Sequence, residues 1–375
     1  MAIRSVGVIG GGQLAQMMVV AAHKLGLTIA VQTPEPTDPA AQVADHVILG
    51  SLQDLEATRR LAEWVEVITF ENEFVDLTGL QTLVDEGICF RPGLETLSPL
   101  LDKYEQYTTL QQWGLPIPQV ALPQEPLRFS FPLVLKVRRH GYDGRGTVVI
   151  TTPEHLQTEL KARSPEDVLL QEWIGFEREL AVVAARSSTG EIAVYPVVET
   201  QQQDQVCRRV IVPATIPEPV GHQIHTLTQP ILEKLAVVGL FGIEFFLTPT
   251  GEVLINEISP RTHNSGHYTL DACPTSQFEQ HLRAMCDLPL GNTSLISPAA
   301  VMVNLLGYET SAHDYVSQRQ ALAAIPHAHV HWYEKRHSHP GRKLGHVTIL
   351  SPEPTTQEQL LILAQKVEQI WYGQG

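Results

Sequence analysis

Three consecutive glycines, Gly10 to Gly12, separate an alternating β-branched run, Ile3 to Ile9, from Gln13 to Leu25, whose apolar residues recur at helical spacing. Only glycine lets a backbone turn so sharply and come so close to its neighbours, so the chain opens as strand, turn and helix. Two further apolar runs, Leu27 to Val31 and Val65 to Phe70, are separated by helical patterns. That βαβ alternation demands a parallel sheet, and residues 1–95 read as one Rossmann-like α/β unit. A chain of 375 residues exceeds what one core supports, so further units must follow.

Leu100 to Trp113 reads as a helix closed by Gly114, and Pro116 and Pro118 enforce extended backbone after it. Short strands are then expected at Leu133 to Val137 and Thr147 to Ile150, joined by a loop holding three glycines. A helix at Glu154 to Ala162 and a strand at Val168 to Trp173 follow, which is α+β rather than doubly wound. Strands resume at Leu180 to Ala184, Ala193 to Val198 and Val206 to Val212, before a helix from His222 to Val238 and a hairpin. Residues 96–292 form this second unit, and residues 293–375 form a small closing unit.

With 41 acidic against 26 basic residues, the net charge of −15 repels nucleic acids and anionic membranes. Cys89, Cys207, Cys273 and Cys286 are too scattered for a zinc ribbon and too few for a disulfide framework, so reduced thiols and a cytoplasmic setting are expected. Met1 to Ile9 lacks a signal-peptide apolar core, and Glu244 breaks the run Leu235 to Leu247, so no membrane segment is expected.

Gly10, Gly12 and Ala15 satisfy G-x-G-x-x-A, with Glu35 about twenty residues on, so a dinucleotide site and plain close packing both fit. The hairpin Gly242 to Ile258 turns at Thr248 to Gly251. A four-residue loop, Pro249 to Glu252, would pair Thr248 with Val253 and set Glu244 opposite Glu257. Facing like charges destabilise a sheet unless a hard cation such as Mg²⁺ joins them, and a solvated polar face is the alternative. Lys136 interrupts an otherwise apolar strand and needs an anion or an outlet to water. The loop beyond, Arg138 to Gly146, combines cations with glycine freedom suited to closing on phosphate, though a solvated loop has the same composition. Glu172 and Glu179 flank Trp173, Ile174, Gly175 and Phe176, an apolar slot beside carboxylates that suits a base and a ribose diol. His263 and His267 stand four apart after Pro260, as a metal pair or as structural histidines. Lys335, Arg336, Arg342 and Lys343 cluster cations around Pro340 and Gly341, fit to dock a phosphate.

In order, a lysine strand, a glycine loop, a strand-end Glu pair and a two-Glu hairpin resemble the ATP-grasp superfamily. Within it, GYDGRG at Gly141 to Gly146, NEISPRTHNSGHY at Asn256 to Tyr268 and PGRKLGH at Pro340 to His346 resemble N5-carboxyaminoimidazole ribonucleotide synthetases over nearly the whole chain. The resemblance implies an ATP-grasp domain over 96–292 with about 118–174 as a mobile subdomain, ATP as co-substrate with Mg²⁺, bicarbonate and 5-aminoimidazole ribonucleotide as the other substrates, and a homodimer. ATP contacts are then expected from Lys103, Lys136, Gly141, Tyr142, Asp143, Gly144, Arg145, Gly146, Thr147, Glu172, Trp173, Ile174, Glu179, Asn256 and Glu257. Metal contacts fall to Glu244 and Glu257, and catalytic roles to Arg261, His263, Arg145 and Asp143. The ribonucleotide falls to Gln13, Glu73, Tyr142, Asn264, Lys335 and Arg342, and the amino-terminal unit binds no dinucleotide. Two positions depart from relatives: Gln202 stands where a histidine is frequent, and Lys103 where some carry arginine. Rival readings are a formate-using ATP-grasp ligase acting on glycinamide ribonucleotide, a dinucleotide oxidoreductase built on Gly10, Gly12, Ala15 and Glu35, and a non-catalytic nucleotide-binding module.

Overall fold

The computed structural model describes residues 3–141 and 146–373. At the amino end, Ser5–Ile9 pairs in parallel with Thr28–Thr33 and Val67–Phe70, and His46–Leu49 adds an edge strand beside Thr28–Thr33. The edge strand escapes sequence reading because it is only four residues long and alternates half-buried with exposed positions. Helix Gln13–Leu25 ends at Gly26 in the left-handed region and packs its buried face on this sheet. Its core extends to Phe278, Leu282 and Met285 of helix Gln277–Met285 and to Tyr333, so the amino-terminal unit shares a core with later segments. His281, fully buried and held neutral by burial, with its pKa pushed down to about 4, bridges Thr69 Oγ1 at 2.9 Å and the Leu240 amide at 3.0 Å.

A small antiparallel sheet holds Val120–Ala121, Val168–Glu172, Leu133–Val137 and Thr147–Ile150, in that order. Among the described residues the large sheet has nine strands. Arg178–Arg186 lies between Gly239–Leu247 and Val198–Gln203, with Ile192–Val194 also pairing to it, and Val253–Ser259 closes one edge. Residues 173–177 cross from the small sheet to the large one.

Two expectations change, and one pairing is new. The strand expected at Ala193 to Val198 divides, because Pro196 lacks an N–H and interrupts the ladder between Ile192–Val194 and Val198–Gln203. The helix expected at His222 to Val238 runs Glu218–Lys234: Pro219 suits its first turn, and Ala236 turns into the left-handed region after it. The carboxy-terminal region does not form a sheet of its own. Ala299–Leu306 pairs with Val206–Val212, and Lys343–Ser351 and Ala328–Trp332 follow, so the large sheet runs through both regions. Helix Gln357–Tyr372, opened by a Thr356/Gln359 capping box, covers these strands with Trp371 and Val367. None of the helices among the described residues is long and apolar enough to cross a membrane.

Candidate active site

The hairpin does not turn where a four-residue loop would put it. Leu247, not Thr248, pairs with Val253, leaving five residues in the turn. That offset by itself would slide Glu244 past Glu257. A bulge between Glu244 and Phe245 takes up one residue, Asn256, and restores the Glu244–Glu257 pair. The bulge also aims Asn256: its Oδ1 accepts from Lys136 Nζ at 3.1 Å, its Nδ2 lies 3.4 Å from Glu244 Oε2, and its carbonyl accepts from Tyr107 Oη at 2.7 Å. On the other side of Gly239–Leu247, Glu244 faces Ala181, so Glu179 shares the carboxylate face.

Charge is concentrated here. Burial, then the neighbouring Glu257, raises the Glu244 pKa, and burial, then Glu244, pushes Glu179 up to about 7. Burial acts upward on Glu257 too, but Lys103 outweighs it: its Nζ is 2.6 Å away, and Glu257 stays below the ordinary range. Lys136 is 9% exposed, and burial, with Lys103 beside it, pushes its pKa down to about 8. Its ammonium stays inside, donating to the neutral Asn256 amide oxygen at 3.1 Å and the Tyr107 hydroxyl at 3.3 Å, with Glu257, Glu244 and Glu179 favouring its charge from nearby. Two facing carboxylates are hard donors in the number Mg²⁺ takes from protein, so the residues present fit that ion.

Asp102 organises the floor. It caps helix Lys103–Gln112 through the Tyr104 and Glu105 amides, which sets Lys103 at the first helical position. The same carboxylate, 2% exposed, holds Arg138 at 2.9 Å and Arg139 at 3.2 Å. Both arginines therefore anchor the stem of the glycine loop. Gly141, Gly146 and Thr147 border the loop, with Thr147 opposite Lys136; Tyr142, Asp143, Gly144 and Arg145 lie outside the described residues. Glu172 ends its strand bound to the Gln119 amide at 2.7 Å and side chain at 3.0 Å. Beyond it, Trp173 is exposed, Ile174 half-buried, and Phe176 stacks on Phe246 at 4.8 Å. The slot and the Glu179 face therefore adjoin the crossing between the two sheets.

Arg261 leaves the end of strand Val253–Ser259 and reaches Glu73 of the amino-terminal unit at 2.9 Å, an ion pair spanning the two units. Burial works against its charge, yet Glu73 holds its pKa above the usual arginine value. His263 Nε2 lies 3.5 Å from Glu244 Oε1, and its Nδ1 is 2.8 Å from Ser265 Oγ. Gly242 makes this approach possible, since a Cβ there would fall 2.5 Å from that of His263. The two histidines part company: His267 is buried against Phe278, Tyr333 and His346 and bonded to Gln277, a core residue whose pKa burial depresses. Asn264 exchanges amide hydrogen bonds with buried Asn304 at 3.0 and 2.7 Å, which pins the loop. Lys335 Nζ donates to the Lys343 carbonyl at 2.8 Å, and Arg342 to the His337 carbonyl at 2.7 Å, so both cations are fixed on one loop. Gln202 follows a bulge and is half-buried, opposite Cys207.

One residue of consequence was missed. Glu71, 7% exposed, accepts from the Gly12, Leu14 and Ala15 amides at 2.7, 3.1 and 3.4 Å. It fills the anion-binding end of helix Gln13–Leu25 that a pyrophosphate would need, beside the half-buried Gln13. Gly10, at φ 134°, exists for this approach, because a Cβ there would overlap Glu71. Glu35 is exposed, and the dinucleotide reading loses its site. The signal was available in Phe70-Glu71-Asn72-Glu73, a carboxylate at the strand end adjoining the glycine turn.

Comparison with known proteins decides the family. Residues 3–98 match the ribonucleotide synthetase preATP-grasp domain, 109–278 the ATP-grasp domain, and 300–359 the phosphoribosylaminoimidazole carboxylase C-terminal domain. The N5-carboxyaminoimidazole ribonucleotide synthase of Synechocystis sp. is 51% identical over 99% of this chain and 98% of its own. The chain belongs to the N5-carboxyaminoimidazole ribonucleotide synthase family. A crystal structure of an N5-carboxyaminoimidazole ribonucleotide synthetase with ADP superimposes at TM-score 0.90, 37% identical, covering 100% of this chain and 99% of that one. The Aspergillus clavatus N5-carboxyaminoimidazole synthase, solved with ADP and 5-aminoimidazole ribonucleotide, gives 0.89 at 30% identity, covering 97% and 98%. In this family member, carboxylates, lysines and a bridging arginine converge from Glu73, Lys103, Lys136, Glu244 and the stretch Asn256 to Arg261.

Proposed function

We propose that the chain carboxylates 5-aminoimidazole ribonucleotide with bicarbonate and ATP, giving N5-carboxyaminoimidazole ribonucleotide, ADP and phosphate in de novo purine biosynthesis. Support for the nucleotide half comes from the facing Glu244 and Glu257 with Lys103, Lys136 and Asn256 around them. Support for the substrate comes from full-length similarity to synthases of that name. A bicarbonate oxygen attacks the γ-phosphorus as the bond to the β-phosphate oxygen breaks, giving carboxyphosphate and ADP. The exocyclic amine then bonds to the carboxyl carbon, phosphate leaves with the C–O electrons, and the amine loses a proton. In-line transfer needs mainly positioning and charge neutralisation. Lys103 and Lys136 supply cations to the phosphates. Glu244 and Glu257 would hold Mg²⁺, which when bound neutralises phosphate charge. Arg261 presents a planar fork to bicarbonate and phosphate oxygens, held in place by Glu73, and His263, two residues on, faces the Glu244 carboxylate.

In the same reading Gly141 to Thr147, including Tyr142, Asp143, Gly144 and Arg145, cover the nucleotide and exclude water from carboxyphosphate. Glu172, Trp173, Ile174 and Glu179 take base and ribose. Gln13, Glu73, Asn264, Lys335 and Arg342 take the ribonucleotide, the last two its phosphate. The units divide near residues 95 and 292, the enzyme is cytoplasmic, and it works as a homodimer. The test is phosphate release from MgATP with bicarbonate, with and without 5-aminoimidazole ribonucleotide. Release that requires both supports the assignment; release stimulated instead by formate with glycinamide ribonucleotide overturns it.

A further inference from the structure

We propose that Asp271, His331 and His346 form a second metal site, for a borderline divalent transition metal such as Zn²⁺, separate from the hard-cation site at Glu244 and Glu257. Strands Ala328–Trp332 and Lys343–Ser351 are antiparallel, and their register sets His331 directly opposite His346, so both rings stand on one face. His329, two residues before His331, shares that face. Asp271 arrives from the short helix Thr269–Ala272, just past the loop that carries Arg261 and His263. One donor atom from each of the three lies within 4.8 Å of the others. Asp271 Oδ2 is 2.8 Å from His331 Nε2, and its Oδ1 is 3.5 Å from His329 Nδ1.

His346 is the second, independent sign of a ligand. It is fully buried, its Nδ1 is 2.7 Å from the Tyr333 hydroxyl, and among the described residues its Nε2 has no hydrogen-bond partner. A buried nitrogen left open in an otherwise satisfied cluster calls for a proton or a metal. The hydroxyl on Nδ1 favours the metal: a ligating histidine ordinarily gives its other nitrogen to an oxygen, which fixes ring and tautomer. Two imidazoles and one carboxylate form the donor set of Zn²⁺ and its neighbours, whereas Mg²⁺ takes oxygens. Seating such an ion needs donors about 3.3 Å apart, from Zn–N bonds of about 2.0–2.1 Å in tetrahedral array. The His331 and His346 rings stack at 4.5 Å with 15° between planes, so binding requires the 30% exposed His331 ring to turn and aim a nitrogen at the ion. His329, 45% exposed, or water completes the set. The metal would fasten the helix after the Arg261 loop to the hairpin leading to Lys335 and Arg342, tying two parts of the site together.

Full-length protein, stripped with chelator, is titrated with Co²⁺ and followed by its visible d–d absorption, with Zn²⁺ as competitor. One equivalent is expected to bind and be displaced by Zn²⁺, with about tenfold or greater weakening in His331→Ala, Asp271→Asn and His346→Gln and no change in Glu257→Gln. Because His331 is partly exposed, its variant is checked for an unchanged circular dichroism melt, which separates ligand loss from misfolding. Absence of stoichiometric binding, equal binding in His331→Ala, or loss of binding in Glu257→Gln would each overturn the assignment.

Discussion

Glu244→Gln is expected to make the ligand-free protein more stable while abolishing turnover. Directly opposed carboxylates about 5 Å apart repel by about 3 kcal/mol at an effective dielectric of about 20. Lys103 on Glu257 at 2.6 Å and the 25% of the Glu244 side chain left in solvent reduce this to about 1–2 kcal/mol. Spread over the unfolding entropy of a chain this long, the gain is a rise of about 1–3 °C in melting temperature. The sign depends on pH. Burial and then Glu257 raise the folded-state pKa of Glu244 above its unfolded value, so the penalty is absent while both states are protonated. It grows as pH passes the unfolded value near about 4.5 and is complete above the raised folded value. Scanning fluorimetry of wild type and variant should coincide near about pH 3.5 and separate near about pH 8, with the variant higher. Saturating MgATP should reverse the order, since only the wild type keeps both carboxylates. A variant that melts lower than wild type at about pH 8, or a gap that ignores pH, refutes the reasoning.

Three further outcomes follow from the same geometry. Lys136→Met should fold normally and raise the KM for MgATP about tenfold or more, and in the wild type that KM should climb once pH passes about 8, where Lys136 loses its proton; steady-state kinetics across pH checks both. Arg261→Lys, which keeps the charge but not the fork, should lower kcat about 100-fold with nucleotide affinity retained, measured by phosphate release beside ADP titration. Gly10→Ala should cost about 2–4 kcal/mol through overpacking on Glu71 and a strained backbone, and a melting temperature equal to wild type would contradict the Glu71 assignment.

Patterns with strong local periodicity were readable directly. Helix Gln13–Leu25 and strands Leu133–Val137, Thr147–Ile150 and Val206–Val212 fall where spacing and β-branching put them. What escaped depended on partners far along the chain. The hairpin register was misjudged by one residue, and the facing of Glu244 and Glu257 survives only because the bulge at Asn256, which no local propensity announces, compensates. Glu71 reads as one of two acidic residues after a strand until the parallel pairing of Ser5–Ile9 with Val67–Phe70 brings it onto the glycine turn. Arg138 and Arg139 look like phosphate ligands, and Asp102, more than thirty residues earlier, claims both. Similarly, the spacing of His263 and His267 suggested a pair, whereas the turn Asn264–Gly266 sends one to Glu244 and the other into the core.

The pairing of Val206–Val212 with Ala299–Leu306, from Arg209–Val303 to Val212–Ala300, bears on how portable the parts of this molecule are. A break between residues 293 and 298 looks like a natural joint, yet it would leave two raw strand edges, each a template for indiscriminate association. The carboxy-terminal region is thus not a bead that can be traded between ligases or expressed alone. Any exchange of it must carry a matching edge strand, so recombination here would have to conserve backbone register before it could explore new chemistry.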